Sequence, residues 1–329
     1  MKQHVYVLDS ALVPHTNEID VERNVLQDCA TVHLLHMRAD IDFEPYLENA
    51  AAVILWHQVD FTAQIIRKLT NVKIIVRNGV GFENVDINAA AECGIPVSNV
   101  PDYGTEEVAD HTIALCLALN RQLRILMDDV FKGNWRYQAG IACHRARGRL
   151  FGIVGCGRIG TATALRAKAF GYKVCFYDPY LAPGYEKAIA VSRVDTLDEL
   201  LNQADVVSLH VPLTDETMYM IDVPQMKRMK HEAYLINTSR GPVVRYAAVE
   251  QALAEQWISG VGMDVLEHEP EGAELATRYP NCIITPHSAF YSQESFIEMR
   301  RSAARTVREA LLAKKWVNVV NNVKPPCRV

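Results

Sequence analysis

Residues 148–180 read GRLFGIVGCGRIGTATALRAKAFGYKVCFYDPY. An apolar run, Phe151 to Val154, leads into Gly155, Gly157 and Gly160 in GxGxxG spacing. Ile159, Ala162, Leu165 and Ala169 then recur at helical spacing, and a second apolar run ends on Asp178. The order is strand, turn, helix, strand. Gly155 permits the tight turn, Gly157 lets backbone approach a pyrophosphate, and Gly160 lets the helix pack close to the strand. The helix start offers unpaired N–H groups and a field that favours phosphate. Asp178 stands where a carboxylate accepts ribose hydroxyls, and its charge would repel a ribose 2′-phosphate, so NAD is predicted over NADP. Glycines at this spacing also mark purely structural turns. Here the flanking strand, helix and acid favour a dinucleotide site, with Arg158 either supporting a phosphate or lying on the surface.

The same alternation extends in both directions. VYVLD, TVHLLH, AAVILWH, VKIIV and IPVSNV precede the turn as strand candidates; KVCFYD, DVVSLHVP, AYLINTS, SGVGMDV and NCIITP follow it. Helical segments between them, such as FTAQIIRKLT and DINAAAEC, predict parallel sheets covered by helices. Residues 106–130 read as one long helix, another helix starts near Ser292, and WVNVVNNV (316–323) reads as an extended tail.

The predicted class is α/β, with two Rossmann-like or flavodoxin-like parallel-sheet domains. Residues 1–100 form the first part of a substrate domain, 101–291 the inserted cofactor domain, and 292–329 the return to the first. At 329 residues the chain has room for two cores.

Composition narrows the function classes. Thirty-four basic and 39 acidic side chains leave a net charge of −5, which gives no general attraction to nucleic acid. The start of the chain lacks the apolar core of a secretion signal, and no run approaches the roughly 20 apolar residues of a membrane span. A cytoplasmic protein is expected. The eight cysteines include no CxxC pair, and the histidines share no ligand spacing, so no metal site is predicted.

Three residues fall just beyond strand ends, where open parallel sheets display function. Arg240 follows YLINTS, Glu269 follows GMDVLEH, and His287 follows IITP. An arginine offers a carboxylate two directional N–H contacts and a permanent charge. A histidine exchanges a proton near neutral pH, and a neighbouring carboxylate orients its ring. Together they suit hydride exchange with a small 2-oxo or 2-hydroxy carboxylate. Each has a plainer reading: Arg240 as a loop bridge, His287 as a backbone partner, Glu269 as a surface acid.

The ordered set RNGVGFENVDINAA, NVPDYGTEEVADHTIAL, GIVGCGRIG, LHVPLTDET, LINTSRGPVV, GMDVLEHEP and TPHSAFYS resembles the D-isomer-specific 2-hydroxyacid dehydrogenase family, nearest its C-terminal-binding-protein-like branch. The resemblance spans about residues 77–292. It implies Arg240 as substrate-binding arginine, Glu269 as histidine partner and His287 as acid/base. It also implies Gly155, Gly157, Arg158, Ile159, Gly160 and Asp178 as the cofactor turn and its ribose end. Thr105, Pro212, Thr217, Thr238 and Asp264 would border the cofactor. Asn78, Gly79 and Val80 would face substrate, the last two through their peptide N–H groups, with Trp56 and His57 on the same side. A homodimer is implied, with Trp135 and Tyr137 near its interface.

Two departures stand out. Arg245-Tyr246 replaces an acidic pair common among relatives, and Phe290 stands where the branch often has Trp. The resemblance leaves three functions open: the dehydrogenase, an NAD(H)-sensing regulator or corepressor, and an enzyme oxidising another small anion such as phosphite.

Overall fold

The computed structural model describes residues 2–324 except Ile141. Contacts divide the chain into two units. One runs from the N-terminus to Gly104 and resumes at Ser292; the other is Thr105–Tyr291.

The first unit holds β1 (Gln3–Ser10), β2 (Ala30–Met37), β3 (Ala50–Leu55), β4 (Ile75–Arg77) and β5 (Val97–Ser98). They form one parallel sheet in the order β2-β1-β3-β4-β5, a flavodoxin-like winding. Every residue of β3 is buried, as expected for a central parallel strand covered on both faces. The C-terminal helix Gln293–Ala313, capped by Ser292, belongs to this unit. It is fixed there by a buried fork: Arg300 Nε and Nη2 donate to Glu22 at 2.8 and 2.7 Å. Glu22 is fully buried, so losing one partner alone would strand a charge, at a cost of about 3–5 kcal/mol. The tail then runs beside β5. Ser98 Oγ donates to Val317 O, and Val97 N–H donates to Asn321 Oδ1.

The second unit holds β6 (Leu150–Val154), β7 (Lys173–Tyr177), β8 (Ser192–Arg193), β9 (Val206–Leu209), β10 (Tyr234–Asn237), β11 (Gly260–Met263) and β12 (Cys282–Ile284). The order β12-β11-β10-β9-β6-β7-β8 is parallel throughout and reverses direction at β6, the switch point of a Rossmann-like sheet. Val207, Leu235 and Val261 belong to one core cluster; Phe151, Ile153 and Ile236 belong to another.

One predicted element is corrected. Residues 106–130 are not a single helix but two, Thr105–Asn120 and Leu123–Phe131. Gln122 breaks them by taking a left-handed backbone, φ 54°. Its buried amide compensates by donating to Leu119 O and to the Tyr234 hydroxyl. Among the described residues no helix is long and apolar enough to cross a membrane.

Candidate active site

Three glycines at the end of β6 serve three purposes. Gly155 has φ +85°, and a Cβ there would meet His210 O at 2.8 Å. A Cβ at Gly160 would lie 2.1 Å from Gly155 O, so the helix Arg158–Ala169 packs onto the turn only without one. A Cβ at Gly157 would meet nothing within 4 Å among the described residues. That residue is the N-cap of the helix and supplies no capping side chain, so the first-turn N–H groups face no competing acceptor of its own. Packing therefore explains Gly155 and Gly160 but leaves open space at Gly157, as an approaching phosphate needs.

Asp178, just past β7, accepts from Cys156 N–H at 2.9 Å and from Tyr180 N–H at 2.9 Å. Its carboxylate is thus tied to the turn itself. Arg158 is exposed and Ile159 half-buried. Past β9, Thr217 Oγ donates to Pro212 O at 2.6 Å, joining the two residues expected to border the cofactor. His210 lies at the same strand end. Burial holds its imidazole down at about 3, and its Nδ1 is buried without a partner among the described residues. The open glycine, the uncapped helix and the orphaned nitrogen all fit a dinucleotide along the switch point.

The remaining strand ends carry the reactive set. Past β10, Asn237 organises the loop: its Nδ2 donates to Arg240 O at 2.9 Å, and its Oδ1 accepts from Ser239 N–H and Oγ. Arg240 Nη1 donates to Ser239 O at 2.7 Å. Thr238 is buried, and its hydroxyl lies 2.8 Å from that of Thr112. Because Thr112 donates to Val108 O, the Thr238 hydroxyl is the donor of that pair.

His287 Nδ1 lies 2.9 Å from Glu269 Oε2. An ionised carboxylate only accepts, so Nδ1 carries the proton of this bond. Burial raises the Glu269 pKa, but the His287 hydrogen bond and charge, Leu266 N–H and the Arg240 guanidinium outweigh it and hold the pKa below the ordinary glutamate range. By linkage, what the ionised carboxylate contributes is present above the ordinary glutamate pKa and is lost only as pH falls through the lower, folded value. The Arg240 contribution also places its charge within electrostatic reach of the His–Glu pair. Phe290, the replacement for Trp, meets the His287 ring edge-on at 6.4 Å.

His287 has φ 52°, a left-handed backbone that costs an L-residue about 1–2 kcal/mol. Asp264, only 2% exposed, offsets that cost. Its carbonyl accepts from His287 N–H, its Oδ1 from Ser288 N–H and its Oδ2 from Ala289 N–H. The carboxylate expected to border the cofactor also holds the histidine turn. Sequence reading missed both this and the role of Asn237.

The Arg245-Tyr246 departure has a structural account. Arg245 Nε donates to Asp222 at 2.7 Å, and its guanidinium covers the Tyr219 ring at 3.9 Å. The Tyr219 hydroxyl donates to Glu267 Oε1, and Tyr246 N–H donates to Glu267 Oε2. Tyr246 Oη donates to Glu274 at 3.0 Å. Together these contacts brace the loop that carries Glu269.

Among the described residues, no three His, Cys, Asp or Glu side chains form a group that could hold a metal ion. In the first unit, Trp56 follows β3 and Asn78 follows β4; both are buried, and Trp56 Nε1 and the Asn78 amide atoms lack partners among the described residues. Gly79 N–H donates to Arg77 O at 3.0 Å, in a tight turn with φ 140° at Gly79. Val80 is exposed.

A family model, "D-isomer specific 2-hydroxyacid dehydrogenase, NAD binding domain", matches residues 113–289. The chain belongs to that family. Its NAD-binding domain is therefore the unit that carries the glycine turn, Arg240, Glu269 and His287. A glyoxylate reductase from Korarchaeum cryptofilum (strain OPF8) is 39% identical over 290 residues, 84% of this chain and 85% of that one. C-terminal-binding protein 1 of Caenorhabditis elegans is 32% identical over 309 residues, 89% of this chain, but the match spans only 42% of that longer protein. Among solved structures, D-lactate dehydrogenase from Aquifex aeolicus, complexed with NAD and lactic acid, superposes with a TM-score of 0.84 at 29% identity, covering 98% of this chain and 100% of that one. The family is one of NAD-dependent 2-hydroxyacid dehydrogenases.

Proposed function

We propose that this family member interconverts a 2-oxo acid and its D-2-hydroxy acid, with His287 as the acid/base. The observation that carries the reading is the His287–Glu269 pair, 2.9 Å apart and within reach of the Arg240 charge. With Nδ1 committed to Glu269, the proton that moves is held at Nε2. In reduction Nε2 protonates the C2 oxygen; in oxidation it takes the hydroxyl proton back. Arg240 binds the substrate carboxylate through its N–H fork and stabilises negative charge growing on the C2 oxygen. Trp56, Asn78, Gly79 and Val80 of the first unit are assigned to substrate binding by the family resemblance, Gly79 and Val80 through their peptide N–H groups. Bound NADH supplies the hydride, and NAD⁺ receives it in the reverse direction.

The cofactor residues divide by chemistry. Gly155, Gly157, Arg158, Ile159 and Gly160 hold the pyrophosphate, and Asp178 the ribose, its charge disfavouring NADP. Thr105, Pro212, Thr217, Thr238 and Asp264 border the rest of the cofactor, and Asp264 also holds the His287 turn. The test is a panel of small, branched, aromatic and acidic 2-oxo acids with NADH. At least one should be reduced, and the product should be the D-isomer. NADH binding without turnover across the panel would refute the proposal.

We also propose a homodimer built on the helix Leu123–Phe131 and the segment after it. Phe131 is 80% exposed, Tyr137 83% and Trp135 90%, and Leu123, Met127 and Val130 on the same helix are exposed too. Large apolar side chains exposed this closely along the chain suit an association site. Light scattering should give twice the chain mass, and the F131E/W135E variant should give the single-chain mass with its fold retained. A monomeric wild type would contradict the proposal.

A further inference from the structure

The turn that presents His287 is tied to a second histidine. His111, on the helix Thr105–Asn120, lies with Nε2 2.9 Å from Thr285 Oγ. Thr285 Oγ lies 2.6 Å from Asp264 Oδ1 and donates to it. A hydroxyl has one proton, and that proton is directed at the carboxylate. Thr285 Oγ must then accept from His111, which fixes the proton of this bond on His111 Nε2. His111 Nε2 also lies 3.6 Å from Asp264 Oδ1. The same Asp264 receives three successive peptide N–H groups, those of His287, Ser288 and Ala289.

We infer that His111 is a positioning residue for catalysis, holding the His287 turn through a hydrogen-bond relay from its Nε2–H to Thr285 and on to Asp264. Asp264 is nearly inaccessible, and its Oδ1 is shared between Ser288 N–H and Thr285 Oγ–H. Orienting that oxygen requires the hydroxyl to be oriented, and His111 supplies the donor that does so. Without it the hydroxyl can rotate, the carboxylate can turn, and the left-handed turn at His287 loses its fixed anchor. A displacement of about 1 Å at a reacting group is enough to lower turnover by as much as ~100-fold.

The inference rests on the proposed role of His287, so its test includes His287→Asn as a control on that role. Two measurements decide it. In wild-type protein with ¹⁵N-labelled histidine, long-range ¹H–¹⁵N correlation should show His111 protonated at Nε2; the Nδ1–H tautomer would overturn the relay. In kinetics, His111→Leu should lower kcat about 10–100-fold while NADH affinity stays unchanged. His111→Gln, whose amide N–H reaches a similar point, should recover kcat to within about threefold. Thr285→Val should reproduce the loss, and the double variant should be no worse than either single, as members of one chain behave. Wild-type kcat in His111→Leu, or additive losses in the double variant, would overturn the inference. If His287→Asn kept its turnover, the acid/base assignment itself would fall, and with it the catalytic purpose given to His111.

Discussion

His287→Asn should lower kcat by about 10²–10⁴-fold, the range that a positioned acid/base contributes, with NADH affinity nearly unchanged. Asparagine can still donate a hydrogen bond toward Glu269 but cannot deliver a proton at neutral pH. The loss therefore isolates proton transfer from local packing. Glu269→Gln should cost less, because the imidazole remains while its orienting anion is gone. Steady-state kinetics of both variants with one 2-oxo acid check this order. Equal losses would mean that the pair acts mainly as a structural unit, and an active His287→Asn would remove the acid/base role.

The second large effect belongs to Arg240. Arg240→Ala removes both the carboxylate contact and the charge beside the C2 oxygen. Loss of one preorganised charge-stabilising donor costs about 10²–10³ in rate, and the lost ground-state contact adds a rise in KM. The combined fall in kcat/KM should reach about 10³–10⁴. Arg240→Lys keeps the charge but not the planar fork, so it should recover only part of the loss. Arg240→Ala also loses the guanidinium bond to Ser239 O, but Asn237 still bonds Arg240 O and Ser239 Oγ. These Asn237 contacts do not involve the guanidinium, so the fold should survive, as thermal melting can confirm. An Arg240→Ala enzyme with normal KM would show that the guanidinium does not bind substrate.

What the sequence disclosed follows from which constraints are local. GxGxxG between two apolar runs fixes a turn within a few residues, and the Gly155 and Gly160 contacts show why nothing larger fits. Arg240, Glu269 and His287 were legible because each follows an apolar strand, and parallel strands place their C-terminal ends on one edge. The break at Gln122 was hidden because it depends on a long-range partner, the Tyr234 hydroxyl, rather than on a glycine or proline. β8 was missed because it is only Ser192–Arg193. The turn that Asp264 holds was also out of reach. An acid at a strand end suits a cofactor or a neighbouring turn equally well, until the N–H groups of residues 287–289 are located. Arg245-Tyr246 read as a charge change near a helix start, whereas their contacts with Asp222, Tyr219 and Glu267 make them part of the brace beneath the Glu269 loop.

The most direct test of the central claim is isotopic. The protein should be given NADH carrying deuterium on the transferable face of C4, together with the best 2-oxo acid from the panel, and the product examined by NMR and chiral chromatography. The expected product is a D-2-hydroxy acid with deuterium at C2, formed at a rate that collapses in His287→Asn. Deuterium left on the cofactor or lost to water, an L-configured product, or an undiminished rate in that variant would contradict the account.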